Sequence, residues 1–149
     1  MRNFLLILSS FTFYLSADLK VSLDQELKTL MPKVIEWRHD IHEHPELGNR
    51  EFRTSNKVKV HLEGLGIKVE SGIAYTGVVG LIEGGKPGPT IALRADMDAL
   101  PVEEKTGLPF ASKVRTKYLG NDVGVMHACG HDAHCLLYTS PSPRDRIRS

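Results

Sequence analysis

Cysteine is nearly absent, with two residues in 149. That is too few for a disulfide framework, so a small stapled scaffold is excluded. Charge of one sign is also missing. The formal net charge is +1, which leaves no electrostatic case for a nucleic-acid partner or an anionic membrane surface. Long apolar runs are missing as well. The only extended one, Phe4 to Leu15, is too short for an ordinary membrane span. The glycine-rich stretch Glu83-Gly84-Gly85-Lys86-Pro87-Gly88-Pro89 is no phosphate loop: it lacks the spacing, joins apparent strands and precedes no helix. What is present is ordinary. A hydrophobic content of 41% suits a packed core, and the length suits one domain.

Residues 1–17 have the form of a secretory signal peptide. Arg2 gives a positive start, Phe4 to Leu15 an apolar centre, and Leu15-Ser16-Ala17 small residues before polar Asp18. The expected destination is the secretory route, whether secreted, periplasmic or lumenal, with no membrane attachment after cleavage. A reactive Cys129 there would be open to oxidation unless a metal held it.

Ser22-Leu23-Asp24-Gln25 reads as a capping box that starts a helix. Leu23, Leu27, Leu30, Val34, Trp37 and Ile41 then mark one helical face. Pro32 should kink or split that helix, and Pro45 should end it by pushing His44 out of helical angles. His39 and His42 can share a face as a metal pair, but imidazoles near a helix C-terminus are favourable without any ligand. Asn49 is a candidate cap for a second helix with Val58, Leu62 and Leu65 inside, ending at Gly64 or Gly66. Ile67 to Glu70 alternates like a half-buried strand, and Val78 to Ile82 reads as a more buried one. Thr90 to Ala95 reads as a further strand, antiparallel to its predecessor. Residues 102–125 are turn-rich and have no clear elements.

Two stretches carry chemistry. Met126-His127-Ala128-Cys129-Gly130-His131-Asp132-Ala133-His134 packs a thiol, three imidazoles and a carboxylate into nine residues. A Cys thiolate, a neutral His and an Asp carboxylate are all metal ligands, and the thiolate favours a borderline ion such as zinc. Gly130 lets the backbone turn so that Cys129 and His131 could face one point. The plainer reading is a buried free Cys or a disulfide partner beside surface histidines. In Thr90-Ile91-Ala92-Leu93-Arg94-Ala95-Asp96-Met97-Asp98-Ala99-Leu100-Pro101 an apolar run meets two carboxylates. Ligand groups gather at strand ends in α/β domains, though Asp and Pro are also common turn residues.

These two stretches, with Trp37-Arg38-His39-Asp40-Ile41-His42-Glu43-His44-Pro45-Glu46-Leu47-Gly48, resemble the dinuclear-metal aminoacylase, carboxypeptidase and hippurate hydrolase family of amidohydrolases. The resemblance runs from about Val34 to His134 in matching order and spacing. It is nearest to the branch that cleaves N-acyl and N-aroyl amino acids, including hippurate and indoleacetyl conjugates. It implies an α/β fold, a mixed sheet flanked by helices in a zinc-peptidase-like catalytic domain, here truncated to residues 18–134. It implies Cys129 and His131 as metal ligands, with Asp98 as a catalytic carboxylate that helps orient the site. Asp96 stands where peptidase-branch relatives have a ligand His, so its role stays open. The implied cofactor is a divalent metal, two ions per full-length site, zinc or manganese. The implied partner is a small N-acyl amino acid, and full-length family members are often homodimers.

The end departs from the family pattern. Two prolines and four Ser or Thr follow Leu137, and residues 135–149 read as a non-native or disordered tail. The general base and the remaining ligands of the family are not matched, so the chain as written is expected to be inactive. The competing reading is a small secreted metal-binding or interaction module without catalysis. A redox pair of Cys129 and Cys135 is the weakest option, since the spacing is not C-x-x-C.

Overall fold

The computed structural model describes the backbone of residues 2–137 and the side chains of residues 21 and 23–136. The side chains of the expected signal segment and the tail from residue 138 lie outside the described residues. Two compact units are present, Met1–Lys33 and Val34–Ser149. Among the described residues no helix is long and apolar enough to cross a membrane.

Helix α1 runs Arg2–Glu43. Ser22 therefore lies inside a helix and is not its N-cap; no helix terminus exists there for a capping box to satisfy. Pro32 lies within α1 and does not end it. Proline removes one hydrogen bond, and good helix formers such as Leu30, Lys33 and Glu36 flank it. The helix stops at Glu43 ahead of Pro45, as the sequence predicts. In the second unit Val34, Trp37 and Ile41 face the core, while Leu27 in the first stays 56% exposed.

Helix α2 spans Phe52–Gly64. Its N-cap position is Glu51 and not Asn49, which instead takes a left-handed φ of 63° in the preceding turn. Glu51 makes no side-chain cap. The carboxylate of Glu46 does so from outside, accepting from the Arg53 amide at 2.9 Å and the Thr54 amide at 2.8 Å. A negative charge at that end also suits the helix dipole. The C-terminus is a Schellman turn. The Ile67 amide bonds Leu62 O at 3.1 Å and the Gly66 amide bonds Glu63 O at 2.9 Å, with Gly66 at φ 74°. Thr54, Val58 and Leu62 form the buried face.

The sheet is small. Strands β1 (Lys68–Ile73) and β2 (Gly77–Leu81) pair antiparallel with a bulge between Ser71 and Ile73. Strands β3 (Arg115–Tyr118) and β4 (Asn121–Gly124) make a second antiparallel pair. Isolated bridges add a parallel Leu47–Ala99 contact and an antiparallel Leu100–Met126 contact. The α/β class stands, with helices beside small sheets. Two strand expectations do not. Residues 90–95 form no strand, and Ile91 and Leu93 are 81% and 76% exposed. Residues 78–82 do not form a buried strand, since Val79, Leu81 and Ile82 are each about half exposed. An apolar run becomes a strand only where a neighbour accepts its ladder, and none of the described residues pairs with 90–95.

The main core joins Ile41, Val58, Leu62, Cys135 and Leu136. Cys135–Leu137 form a 3-10 turn, α4. Ordered packing thus runs past His134 into residues expected to belong to the tail. A second cluster of Leu47, Ala99 and Val125 lies under the motif segments.

Candidate metal centre

Main-chain bonds bring the motif segments together. Leu100 and Met126 exchange both amide bonds, each 3.0 Å. The Ala99 amide bonds Glu46 O at 2.8 Å. The third segment, around Pro45-Glu46-Leu47, is therefore stitched to the carboxylate segment, and that segment to the Cys-His stretch. Burial of Leu47, Ala99 and Val125 holds the seam.

Gly130 follows Cys129 in a left-handed conformation, φ 77° and ψ 20°, and is the N-cap of helix α3, His131–His134. The tight turn expected at this glycine is present. His131 is directed at Asp98. Its Nδ1 lies 2.9 Å from Asp98 O and 3.0 Å from Asp98 Oδ1. A carboxylate and a carbonyl only accept, so Nδ1–H donates, and in the neutral ring the lone pair is then on Nε2. This is how a carboxylate or carbonyl prepares an imidazole for a metal. Cys129 is a free, exposed thiol two residues away. Asp98 and His131 are thus brought together. Among the described residues, no group of three or more His, Cys, Asp or Glu side chains is arranged to hold an ion. The donor chemistry suits a borderline divalent ion, with one thiol and one pre-oriented imidazole. Asp96 does not join them: it accepts from Arg94 at 2.6 Å.

The histidines of α1 form no metal pair. His39 stacks on Phe110 with ring centroids 3.7 Å apart. His44 donates from Nδ1 to Asp40 O at 2.9 Å. His42 is buried between two carboxylates, Asp132 Oδ2 at 3.0 Å and Glu104 Oε1 at 3.1 Å. Burial alone would push both carboxyls upward. Hydrogen bonds from His42 and Arg38 outweigh this at Asp132, and bonds from Thr106, the Ser112 amide and His42 do so at Glu104; each stays below its usual range.

Sequence reasoning did not foresee that Arg38, His42, Glu104 and Asp132 join one another. Asp132 stands beside His131 in the motif, and His42 in a segment already singled out. Their pairing across 90 residues leaves no local pattern to read. His127 is a further surprise. It is 4% exposed, and neither ring nitrogen has a hydrogen-bond partner. Burial lowers its pKa to about 4, so the ring is neutral at pH 7.

Residues 92–137 match the family model of peptidase family M20/M25/M40. The chain is 51% identical over 121 residues to thermostable carboxypeptidase 1 of Saccharolobus solfataricus, covering 80% of this chain and 29% of that protein. It is 48% identical over 108 residues to N-acetyl-L-cysteine deacetylase of Bacillus subtilis, covering 72% of this chain and 24% of that one. The fold is similar to that of the YXEP protein of Bacillus subtilis, a dinuclear metal binding peptidase from the M20 family. The TM-score is 0.63 at 46% identity, over 72% of this chain and 28% of that one. The chain spans under a third of the length of these relatives.

Proposed function

Because the chain belongs to peptidase family M20/M25/M40, we propose that its site is part of a metal-dependent hydrolase of amide bonds in N-acyl or N-aroyl amino acids. The observation that carries this reading is the Asp98–His131 pair, in which Nδ1 of His131 is taken up by Asp98, two residues along the chain from the exposed Cys129. The similar proteins named carboxypeptidase and N-acetyl-L-cysteine deacetylase support an amide as the bond cleaved.

Cys129 as a thiolate and His131 through Nε2 would hold a divalent ion, zinc or manganese, with two ions in the full-length site. Such an ion supplies Lewis acidity toward the amide carbonyl and toward water. The chain's own residues prepare for it. Asp98 holds the proton on Nδ1 of His131 and so fixes the tautomer. Exposure of Cys129 lets its proton leave to solvent when the thiolate forms. Zinc sites take about three or four protein ligands, and two are matched here, so the 149-residue chain alone does not turn over hippurate. Hippurate-like and indoleacetyl-like substrates, a homodimeric full-length form and entry into the secretory route belong to the same proposal. The absence of a nucleic-acid partner belongs to it too and rests on the net charge of +1.

Cobalt(II) titration of the chain, read by thiolate charge-transfer absorbance, tests the reading. The band is expected in the wild type, lost in Cys129→Ala, weakened in His131→Ala and retained in Cys135→Ser. A wild-type chain with no band would overturn the metal site. Metal-dependent release of glycine from hippurate by this chain would overturn the expectation that it is silent.

A further inference from the structure

Helix α3 has four residues, too few to hold its own direction in isolation. Its N-cap, Gly130, brings neither a side-chain cap nor backbone stiffness. The orientation of His131 must therefore come from outside. Adjacent residues on a helix point about 100° apart, so His131 and Asp132 can seize two different anchors. His131 reaches Asp98. Asp132, 2% exposed, reaches back to α1, accepting from His42 Nδ1 at 3.0 Å and Arg38 Nε at 3.2 Å. The other nitrogen of His42 lies 3.1 Å from Glu104 Oε1. Glu104 in turn accepts from the Ser112 amide at 2.6 Å. Buried polar networks of this kind seldom stabilise more than apolar packing would; they specify one geometry.

We propose that Arg38, His42, Glu104 and Asp132 form a positioning unit that sets the turn carrying Cys129 and His131, and through it the site's affinity for a divalent ion. This rests on the metal-site reading above. None of the four needs to touch the ion. Freed from His42, Asp132 lets α3 rotate, and the Nε2 of His131 leaves its bearing although the Asp98 bond is nominally available.

The test uses the 149-residue chain, with cobalt(II) as the probe. Asp132→Asn keeps the shape and removes the charge that both His42 and Arg38 hold. Its cobalt affinity is expected to fall about 10- to 100-fold, the range for partners that orient metal ligands. Glu51→Gln is the structural control, since it weakens a buried bond to Thr76 elsewhere in the fold. It should lower the melting temperature and leave cobalt affinity unchanged. If Asp132→Asn does the same, the unit is structural only and the proposal is overturned. Should Asp132→Asn not fold, Arg38→Met serves, since the Arg38 side chain is 47% exposed. A smaller affinity loss is expected there, and wild-type affinity overturns the proposal. A second readout needs no metal. The Nδ1 proton of His131, protected by Asp98 in the wild type, should be lost to exchange in the Asp132 variant. An unchanged proton signal overturns the positioning role, whereas loss of the signal in the variant together with a wild-type chain that binds no cobalt overturns the metal reading alone.

Discussion

The Nδ1 of His131 faces Asp98 twice, 3.0 Å from Oδ1 and 2.9 Å from the main-chain oxygen. The two acceptors divide the work. The main-chain oxygen is held by the Ala99 and Leu100 bonds that follow it, whereas the carboxylate adds a negative charge and a second acceptor on the ring. Asp98→Ala should therefore weaken metal binding by about 10-fold without abolishing it. Both side chains are partly exposed, at 22% and 34%, so the stability loss should stay below about 1 kcal/mol. Calorimetric metal titration beside a thermal melt separates the two effects. Unchanged affinity would mean that the main-chain oxygen alone orients the ring.

His127 makes the opposite prediction, that removal helps. A buried polar group without a partner costs about 1–3 kcal/mol, and both of its nitrogens are in that state. His127→Leu should stabilise the chain by about 1 kcal/mol at pH 7. The pH dependence follows from the lowered pKa, about 4 against an ordinary 6.5. The folded form binds this proton less readily than the unfolded form. Its contribution is present above pH 6.5 and is lost as pH falls toward about 4. Urea unfolding at pH 7 and pH 5 should show a smaller acid loss in His127→Leu than in the wild type. A variant less stable than the wild type at pH 7 would show that the ring has a partner in solution.

How much was legible followed from how local the cause was. The stop at Glu43, the helix end at Gly66 and the turn at Gly130 each depend on one residue's backbone freedom, and each is readable from Pro45 or the glycine itself. The pairing of Asp98 with His131 was reachable because both stand in dense motifs. Residues 90–95 misled because apolar content says a segment can be a strand, not that a partner exists to accept its ladder. The cap of α2 misled because Asn49 has the right chemistry, yet Glu46 supplies the acceptors from before the turn. The His42–Asp132 bond joins residues 90 apart, and no periodicity marks such a contact.

The two thiols should separate cleanly by reactivity. Cys135 is 1% exposed, and burial pushes its pKa up to about 11 from 9.0. Cys129 is exposed. Only the thiolate alkylates, so iodoacetamide at pH 8 should modify Cys129 in the native chain and Cys135 only after unfolding. The same shift has a sign for stability. The folded state holds the Cys135 proton more tightly than the unfolded state, so stability is full below pH 9 and is lost as pH rises toward about 11. Cys135→Ala should flatten that alkaline loss while opening a cavity in the core. Peptide mapping of the alkylated chain checks the first claim. Native labelling of Cys135 at a rate equal to that of Cys129 would show that the α4 turn is open in solution.

The β3–β4 hairpin contains a correctable strain. Its two-residue loop is Leu119-Gly120, with φ 49° and 82°, between the paired Tyr118 and Asn121. Positive φ at both loop positions is the requirement of a type I′ turn, which matches the twist of the flanking strands. Gly120 meets it at no steric cost. Leu119 does not: a side chain in the left-handed region costs about 1–2 kcal/mol, because Cβ crowds the following carbonyl. Nothing in packing repays this, since Leu119 is 84% exposed. Asparagine tolerates the left-handed region and gives the favoured Asn-Gly pair, so Leu119→Asn should stabilise the hairpin by about 0.5–1 kcal/mol. Hydrogen exchange of the β3 and β4 amides should slow accordingly, and exchange in α2 should not change. Leu119→Val, β-branched and worse in this region, should do the reverse. If Asn and Val shift exchange in the same direction, the turn in solution is not the one that these dihedral angles describe.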